Sequence, residues 1–240
     1  MTRKGNMNLR SQMAFPVSGT KIGVIQQVKL GVLARDRSNL HLQRKIYHMV
    51  SGLICFALYA FVLTRTEALW VLGTVGGVWV TLDLLRFKVP AINNAALRLF
   101  GNLMRREELI RLTANSFYIL GLFVIVAVFP KPIVLLSVLY LAVGDPVAAV
   151  AGTLYGRRRI VGKKSVEGAA ANFLAALLVT FAYGAFYLGY SFPEVATLAI
   201  GGAAISVLAE LTPAPVDDNF SIPVLSGIGL SLFLFLVPLG

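Results

Sequence analysis

Long apolar runs alternate with short polar connections along most of this chain, from residue 46 to its end. Each run comes close to the roughly 20 residues that a helix needs to cross about 30 Å of hydrocarbon. The runs cover residues 46–63, 68–85, 113–129, 132–151, 168–188, 193–210 and 222–238. The pattern predicts an all-α fold: a polytopic membrane bundle of about seven transmembrane helices that forms a single domain over residues 46–240.

Two segments outside these runs have patterns of their own. Residues 1–45 are polar and basic. The apolar positions between Ile22 and Leu33 fit a short helix on an anionic membrane surface, and a disordered basic tail fits them equally well. Residues 86–112 predict a helix that lies along the cytosolic surface. Its apolar face would consist of Ile92, Ala95, Ala96, Leu99, Phe100 and Leu103, beside Arg98, Arg105 and Arg106.

Composition and charge add an orientation to this picture. The chain is 57% hydrophobic and 14% charged, which is typical of a polytopic membrane protein and excludes an ordinary soluble domain. Its net charge is +11, from 22 Lys and Arg against 11 Asp and Glu. With a cytosolic N-terminus, 20 of the 22 basic residues fall in cytosolic segments, and only Arg65 and Lys131 lie outside. This positive-inside bias predicts a cytosolic N-terminus. We expect no nucleic-acid partner.

Most acidic residues are predicted near the same cytosolic face, and Asp83 lies close to membrane depth there. It stands three residues before Arg86, so the two can pair on one helix, as a structural ion pair or as part of a reaction site. Asn115 is also polar at membrane depth and needs a partner. We therefore regard these three residues as supporting members of a cytosolic site.

The sharpest feature is Asp145, followed by Pro146, within an apolar span. A carboxylate in hydrocarbon costs about 2.5–3.5 kcal/mol on insertion scales, so such a residue is rarely without a function. Pro146 removes a backbone donor and should kink or break the helix, which is tolerated where the helix lines a cavity. Small neighbours such as Gly152 also fit a tight packing interface, which does not explain the acid. A carboxylate open to the cytosol is well suited to Mg²⁺.

A basic, glycine-rich loop follows this helix. Two glycines are followed by Lys163, Lys164 and Ser165, but five residues separate the glycines where a true P-loop has four. Ser165 and Glu167 then open the fifth span, and the N–H groups at a helix start favour a phosphate. We expect a flexible loop that binds phosphate. A plain positive-inside loop is the alternative, and the embedded Ser and Glu make it the weaker one.

Arg44, Lys45 and His48 stand together at the cytosolic start of the first span. They either anchor the helix by snorkelling to the headgroups or form a cationic clamp for a phosphate. The depth of His48 slightly favours the clamp.

Another polar set precedes the last span, where Glu210 is followed by Asp217, Asp218 and Asn219. An acidic helix cap accounts for one of these acids. The second acid and the Asn indicate a metal-ligand set or a general base.

In these stretches the chain resembles the family of polytopic membrane lipid kinases that contains dolichol kinases, phytol kinases and CTP-dependent diacylglycerol kinases. The matching stretches are Arg44-Lys45-x-x-His48-x-x-x-Gly52, Gly144-Asp145-Pro146-x-Ala148-Ala149-x-x-Gly152-x-x-Tyr155-Gly156, Lys164-Ser165-x-Glu167-Gly168, and Glu210 with Asp217-Asp218-Asn219-x-x-x-Pro223. The resemblance implies transfer of the γ-phosphoryl of CTP, or of another nucleoside triphosphate, to a lipid alcohol with Mg²⁺. It also implies that Arg44, Lys45, Asp145 and Gly152 belong to the nucleotide site.

The residues and the resemblance together predict one active site that faces the cytosol. The predicted catalytic residues are Asp145, Asp217, Asp218 and His48; the nucleotide-binding residues are Arg44, Lys45, Gly152, Lys163, Lys164, Ser165 and Glu167; the metal ligands are Asp145, Asp218 and Asn219; and the supporting residues are Asp83, Arg86, Asn115 and Glu210. The base that takes the proton of the lipid hydroxyl is open between His48 and an acid of the 217–218 pair.

Two other functions fit the pattern less well. A phosphatidate cytidylyltransferase would also use CTP, Mg²⁺ and a membrane lipid. A small transporter also has intramembrane acids and a broken helix, but its site lies near the midplane and its halves often repeat. The polar residues here gather toward one face without an evident repeat. The sequence leaves open the oligomeric state and whether the acceptor is a polyprenol, a phytol-like isoprenoid or a diacylglycerol.

Overall fold

The computed structural model describes residues 40–239 except 102, 103 and 105, without the side chains of residues 40–43 and 106. The predicted surface helix between Ile22 and Leu33 lies outside the described residues, as do Leu103 and Arg105. The α-helices are α1 (Leu40–Phe61), α2 (Arg65–Leu85), α3 (Pro90–Phe100), α4 (Ala114–Val128), α5 (Lys131–Leu139), α6 (Asp145–Leu154), α7 (Val166–Ala182), α8 (Phe192–Leu211) and α9 (Asp218–Leu236). A 3₁₀ turn covers Arg106–Leu109, π-turns cover Tyr140–Gly144 and Tyr183–Leu188, and a hairpin consists of β1 (Arg159–Val161) and β2 (Lys164–Ser165).

Within the described part of the chain, five helical segments are long and apolar enough to cross a membrane. They are Arg65–Leu85, Lys131–Leu154, Val166–Leu188, Phe192–Leu211 and Asp218–Leu236. Helix α4 is apolar, but its 15 residues extend only about 22 Å. Helix α1 has 22 residues and carries Arg44, Lys45 and His48 in its first half. The predicted all-α membrane bundle is confirmed, whereas the count of about seven spans and the cytosolic N-terminus stay predictions.

A continuous helix formed by α5, the π-turn Tyr140–Gly144 and α6 lies at the centre of the bundle. It packs against α1, α7 and α9, and α9 also packs against α4 and α8. The buried apolar residues of α5 are Ile133, Val134, Leu135, Leu136, Val138 and Leu139. A helix that is apolar on all sides suits a position surrounded by other helices. Asp145, at the start of α6, is therefore held where several helices meet.

The predicted interruption at Pro146 takes the form of a π-turn within a continuous helix. The N–H of Asp145 donates to the carbonyl of Tyr140, five residues back, and Pro146 has no N–H of its own. Turns of this kind inside helices are frequent at functional sites. Gly144 ends the turn and touches α7, because a Cβ at this position would lie 2.6 Å from Oδ1 of Asn172. A larger residue at this position would have to displace the buried side chain of Asn172.

The flexible loop that we predicted after α6 is instead a short antiparallel hairpin. Its strands pair Arg159 with Ser165 and Val161 with Lys164. Gly162 makes the turn at φ +55°, in the left-handed region that glycine adopts most easily. Strands of three and two residues are too short to leave a clear alternating pattern in the sequence, which is why the hairpin was missed.

The charged ends of the helices separate the two faces of the bundle. Glu67 and Glu194 form capping boxes with the Thr and Ser that precede α2 and α8. Asp83 and Glu210 lie 16 residues further along the same helices, a distance of about 24 Å. Asp83 and Glu210 thus lie toward the same end of the bundle, and the location of this end at the cytosolic face stays a prediction.

Candidate active site

Five charged residues from five elements meet at this polar end, and we call them the acid–lysine cluster: Lys45, Asp145, Lys164, Glu210 and Asp218. Nζ of Lys45 on α1 lies 3.7 Å from Oδ2 of Asp145 on α6. Nζ of Lys164 on β2 lies 3.3 Å from Oδ1 of Asp218 at the start of α9 and also donates to the backbone carbonyl of Glu210. Each of the two lysines therefore faces an acid from a distant part of the sequence.

The side chain of Glu210 is held on the buried side of this cluster. Its Oε2 accepts a hydrogen bond from Nδ2 of Asn172 at 3.0 Å, and Oδ1 of Asn172 accepts one from Oγ of Ser206 at 2.9 Å. Asn172 and Ser206 are both fully buried. We missed both residues in the sequence, although an Asn within an apolar span is a signal that could have identified one of them. The chain of hydrogen bonds holds the Glu210 side chain in place, and its supporting role stays a prediction.

His48 lies near Asp145 of the acid–lysine cluster. Its ring packs against Tyr118 with centroids 5.0 Å apart, and 7% of the residue is exposed. Asp145, Asp217 and Asn219 are close enough to influence its charge. Its Nε2 is buried and has no hydrogen-bond partner among the described residues. An imidazole nitrogen in this position can accept a proton from a ligand.

Asp217 and Asn219 have structural contacts at the start of α9. Oδ1 of Asp217 accepts a hydrogen bond from the N–H of Asn219 at 3.0 Å, so this acid caps the helix. Nδ2 of Asn219 donates to the carbonyl of Ala114 at 3.2 Å and ties α9 to α4. The structure thus favours Asp218 over Asp217 as the acid that can meet a ligand, because Asp218 lies beside Lys164.

A second polar network surrounds the predicted pair of Asp83 and Arg86, both of which are buried. Nε of Arg86 lies 2.5 Å from Oδ1 of Asp83, and Oδ2 of Asp83 accepts hydrogen bonds from Thr113 and Ser116. Nη2 of Arg86 donates to the backbone carbonyls of Glu108 and Arg111. The pair therefore joins the end of α2 to the segment before α4, and its contacts are structural.

Arg44 and Asn115 face this second network. Nη1 of Arg44 lies 3.1 Å from Oε1 of Glu108, a pair that the sequence pattern did not indicate because 64 residues separate the two. Asn115 is half-buried at the start of α4. Arg44 and Lys45 are neighbours on α1 but face different acids, Glu108 and Asp145. Arg44 would have to give up its contact with Glu108 in order to bind a phosphate.

The hairpin and its surroundings place the remaining predicted nucleotide-binding residues. Lys163 is exposed beside the turn, and Oε2 of Glu167 accepts a hydrogen bond from the N–H of Arg157 at 3.1 Å. Ser165 is buried, and its Oγ caps α7 by accepting from the N–H of Gly168 at 3.1 Å. Gly152 packs against this hydroxyl, since a Cβ there would lie 3.1 Å from it. Ser165 and Gly152 thus join α6 to α7, and their contact with a nucleotide stays a prediction.

The donor chemistry of the cluster fits a magnesium ion that arrives with a nucleotide. Among the described residues, no group of three or more His, Cys, Asp and Glu side chains could hold a metal ion. Mg²⁺ is usually bound by one or two carboxylates together with substrate phosphates. Asp145 lies near enough to Asp218 to influence the charge of Asp218, which is compatible with a shared ion. Asn219 could join them through its amide oxygen Oδ1, since Mg²⁺ takes oxygen ligands, while its Nδ2 donates to Ala114.

A cavity of about 320 Å³ adjoins the polar end of the bundle, and we call it the α3 cavity. Its walls are mostly apolar and come from α1, α2, α3 and the start of α4. The α3 side consists of Ile92, Ala95, Ala96, Leu99 and Phe100, five of the six residues predicted to form the apolar face of this helix. Arg44, His48, Asp83, Arg86, Glu108 and Asn115 line its polar part. His48 therefore borders both this cavity and the acid–lysine cluster.

Comparison with known proteins finds named relatives of two kinds. CTP-dependent diacylglycerol kinase 1 of Saccharomyces cerevisiae is 31% identical over 204 residues, which is 77% of this chain and 70% of the yeast protein. The enzyme of the same name from Eremothecium gossypii is 32% identical over 205 residues, 77% of this chain and 64% of that protein. Probable phytol kinase 2, chloroplastic, of Glycine max is 26% identical over 195 residues, 76% of this chain and 62% of the soybean protein. No family model and no solved structure matches the chain.

Proposed function

Because the chain belongs to the membrane lipid kinase family that contains the CTP-dependent diacylglycerol kinases and the phytol kinases, we propose that it transfers the γ-phosphoryl of CTP to the hydroxyl of a membrane lipid. The chain is a multi-pass membrane protein and a lipid-alcohol kinase. The proposal adds the donor, the residues that carry the reaction and its location at the cytosolic face.

The observation that supports these residues best is the acid–lysine cluster. In phosphoryl transfer the protein takes little part in covalent chemistry. Catalysis depends on neutralising charge, on placing the attacking and leaving oxygens in line, and on excluding water. Lys45 and Lys164 supply two positive charges beside Asp145 and Asp218. The two lysines could bind the phosphates of a nucleotide, and the two carboxylates would be free to hold a divalent cation that arrives with it.

Positively charged side chains from the hairpin and α1 bind the triphosphate of the nucleotide. Lys164 and Lys45 contact the transferring end of the triphosphate, and the exposed Lys163 contacts it from the cytosolic side. Asp145 and Asp218 would hold Mg²⁺, which would neutralise charge on the phosphates. Glu210 stays in its hydrogen bond with Asn172 and positions Lys164 through its backbone carbonyl.

The reaction forms one bond and breaks another at the γ-phosphorus. The oxygen of the lipid hydroxyl forms a bond to this phosphorus. The bond between the γ-phosphorus and the oxygen that bridges the β- and γ-phosphates breaks, and CDP leaves with the electron pair of that bond. The hydroxyl proton passes to Nε2 of His48, because this nitrogen is buried and has no other partner among the described residues. The products are a phosphorylated lipid, CDP and a proton.

Asp145→Asn tests the proposal at its centre. The change keeps the size of the side chain and removes the charge that faces Lys45, so turnover with CTP should fall at least about 100-fold. The purified variant is assayed in detergent with CTP, ATP and a panel of lipid alcohols, and its thermal unfolding is compared with that of the wild type. Glu107→Gln, an exposed acid at the same end of the bundle, is the matched control and should retain full activity. Near-normal turnover of Asp145→Asn would end the assignment.

A further inference from the structure

Three buried nitrogen atoms without hydrogen-bond partners belong to residues that line the α3 cavity. They are Nε2 of His48, Nε1 of Trp79 and Nη1 of Arg86. Among the described residues, seven buried side-chain atoms lack a partner, so nearly half of them concentrate around this one cavity. Buried polar groups are normally satisfied, and a group that is not needs an explanation. A ligand with polar atoms of the right kind provides one.

The chemistry of these atoms specifies that ligand. The indole N–H of Trp79 and the guanidinium N–H of Arg86 can only donate, so each needs an oxygen that accepts. Arg86 is held by Asp83 and by two backbone carbonyls, which leaves Nη1 in a fixed position. The rest of the lining is mostly apolar. The cavity therefore suits a largely apolar molecule that carries acceptor oxygens near its polar end.

A nucleotide does not match these properties. A triphosphate needs several cations, and in this cavity Arg44 pairs with Glu108 and Arg86 pairs with Asp83. Such cations are found instead in the acid–lysine cluster, whose two lysines do not line the cavity. The cavity volume is also near the lower end of the roughly 300–1,000 Å³ of ligand pockets, which is enough for the polar end of a lipid. Leu82 and Leu99, both lining the cavity and exposed, offer an apolar rim for its tails.

We infer that the α3 cavity binds the acceptor lipid and selects a glycerol diester, a diacylglycerol, over an isoprenoid alcohol. This inference rests on the proposed kinase function. The ester carbonyl oxygens accept hydrogen bonds from Trp79 and Arg86, and the free hydroxyl lies at His48, which lines the cavity and is near Asp145. A phytol or polyprenol has a hydroxyl but no ester oxygen, so it leaves both donors unsatisfied. Relatives with both kinds of name occur, and the comparisons therefore do not make this choice.

The test compares a diester acceptor with a diether that lacks only the ester carbonyls and with an isoprenoid alcohol. Purified full-length protein is assayed with CTP and dioleoylglycerol, with the ether-linked dialkylglycerol that lacks both carbonyls, and with phytol. We expect kcat/KM to be at least about 10-fold higher for the diester than for either of the others.

Trp79→Phe removes the indole N–H and retains an aromatic ring against Phe100, so it should fold. We expect this variant to lose about five-fold in kcat/KM with dioleoylglycerol and to change little with the dialkylglycerol. The other tryptophan of the chain, Trp70, is exposed on the same helix, and Trp70→Phe is the matched control that should affect neither acceptor.

These experiments distinguish a failure of the diester preference from a failure of the proposed kinase function. Equal use of diester, diether and phytol, or an equal effect of Trp79→Phe on all three, would overturn the inference and leave the kinase proposal intact. If no lipid alcohol is phosphorylated with any donor, the proposed function fails, and the inference fails with it.

Discussion

The two lysines of the hairpin have different surroundings although they are neighbours in the sequence. Lys164 is partly buried and contacts Asp218 and Glu210, whereas Lys163 is exposed beside the turn. A residue that contacts a ligand only from outside binds the ground state and the transition state about equally, and such contacts affect KM more than kcat. Lys164, by contrast, also orders the acids of the site.

Lys163→Ala should therefore raise the KM for CTP about three- to ten-fold and leave kcat within about two-fold of the wild type. Steady-state kinetics over a range of CTP concentrations, with the lipid saturating, provide the measurement. Lys88→Ala removes an exposed positive charge from the same end of the bundle and should leave both constants unchanged. A fall in kcat with an unaltered KM would show that Lys163 acts in the transition state, contrary to the proposed role.

An individual site residue could be predicted from the sequence when it is polar and lies within an apolar run. Asp145 stands out because a carboxylate within an apolar run is costly, and the structure places it in the cluster. The partners of these residues were not predictable. Arg44 pairs with Glu108, and Asn172 pairs with Glu210, across 64 and 38 residues respectively. Such pairs depend on helix packing, which no local pattern records.

The contact between α6 and α7 shows how elements hold the site together. Gly152 and Gly168 face each other across the two helices, and a Cβ at Gly168 would lie 2.8 Å from the carbonyl of Ala148. Ser165 is enclosed by this contact. The hairpin that carries Lys164 leads directly into α7, so the spacing between α6 and α7 sets the distance between Asp145 and Lys164.

Gly168→Ala should destabilise the protein by about 1–3 kcal/mol, because the added methyl meets a backbone carbonyl that cannot move aside. Activity should fall as well, since the hairpin shifts with α7. Thermal unfolding in detergent and turnover at a fixed CTP concentration measure the two effects. At Gly77 an added Cβ meets nothing within 4 Å, so Gly77→Ala is the matched control and should be neutral. Equal stability of the two variants would contradict the packing account.

At the element scale, the long apolar runs predicted most helices. Short elements such as the π-turn and the hairpin were not predicted as such. The surface helix predicted within residues 86–112 corresponds to α3, and its apolar face now covers the α3 cavity. The π-turn before Asp145 was predicted only as a kink or break, since a proline indicates that a helix is disturbed but not how the backbone responds. The hairpin was missed because its strands are so short.

Among the described residues, His48 lines the mostly apolar α3 cavity and also lies near Asp145 of the acid–lysine cluster. This arrangement can bring a water-soluble donor and a membrane-soluble acceptor to one point, which is the central requirement of a lipid kinase. It also explains why the polar residues gather at one end of the bundle rather than at its middle. A transporter would need its site near the midplane, so the placement argues against that alternative.

Labelled CTP tests this account most directly. Purified protein is incubated with dioleoylglycerol and CTP that carries radiolabel either at the γ-phosphate or at the α-phosphate, and the lipid and nucleotide products are separated. The account predicts that γ-label appears in the lipid as a phosphomonoester, that CDP is released in equal amount, and that α-label stays entirely in the nucleotide. Transfer of α-label to a lipid, with release of pyrophosphate, would contradict it.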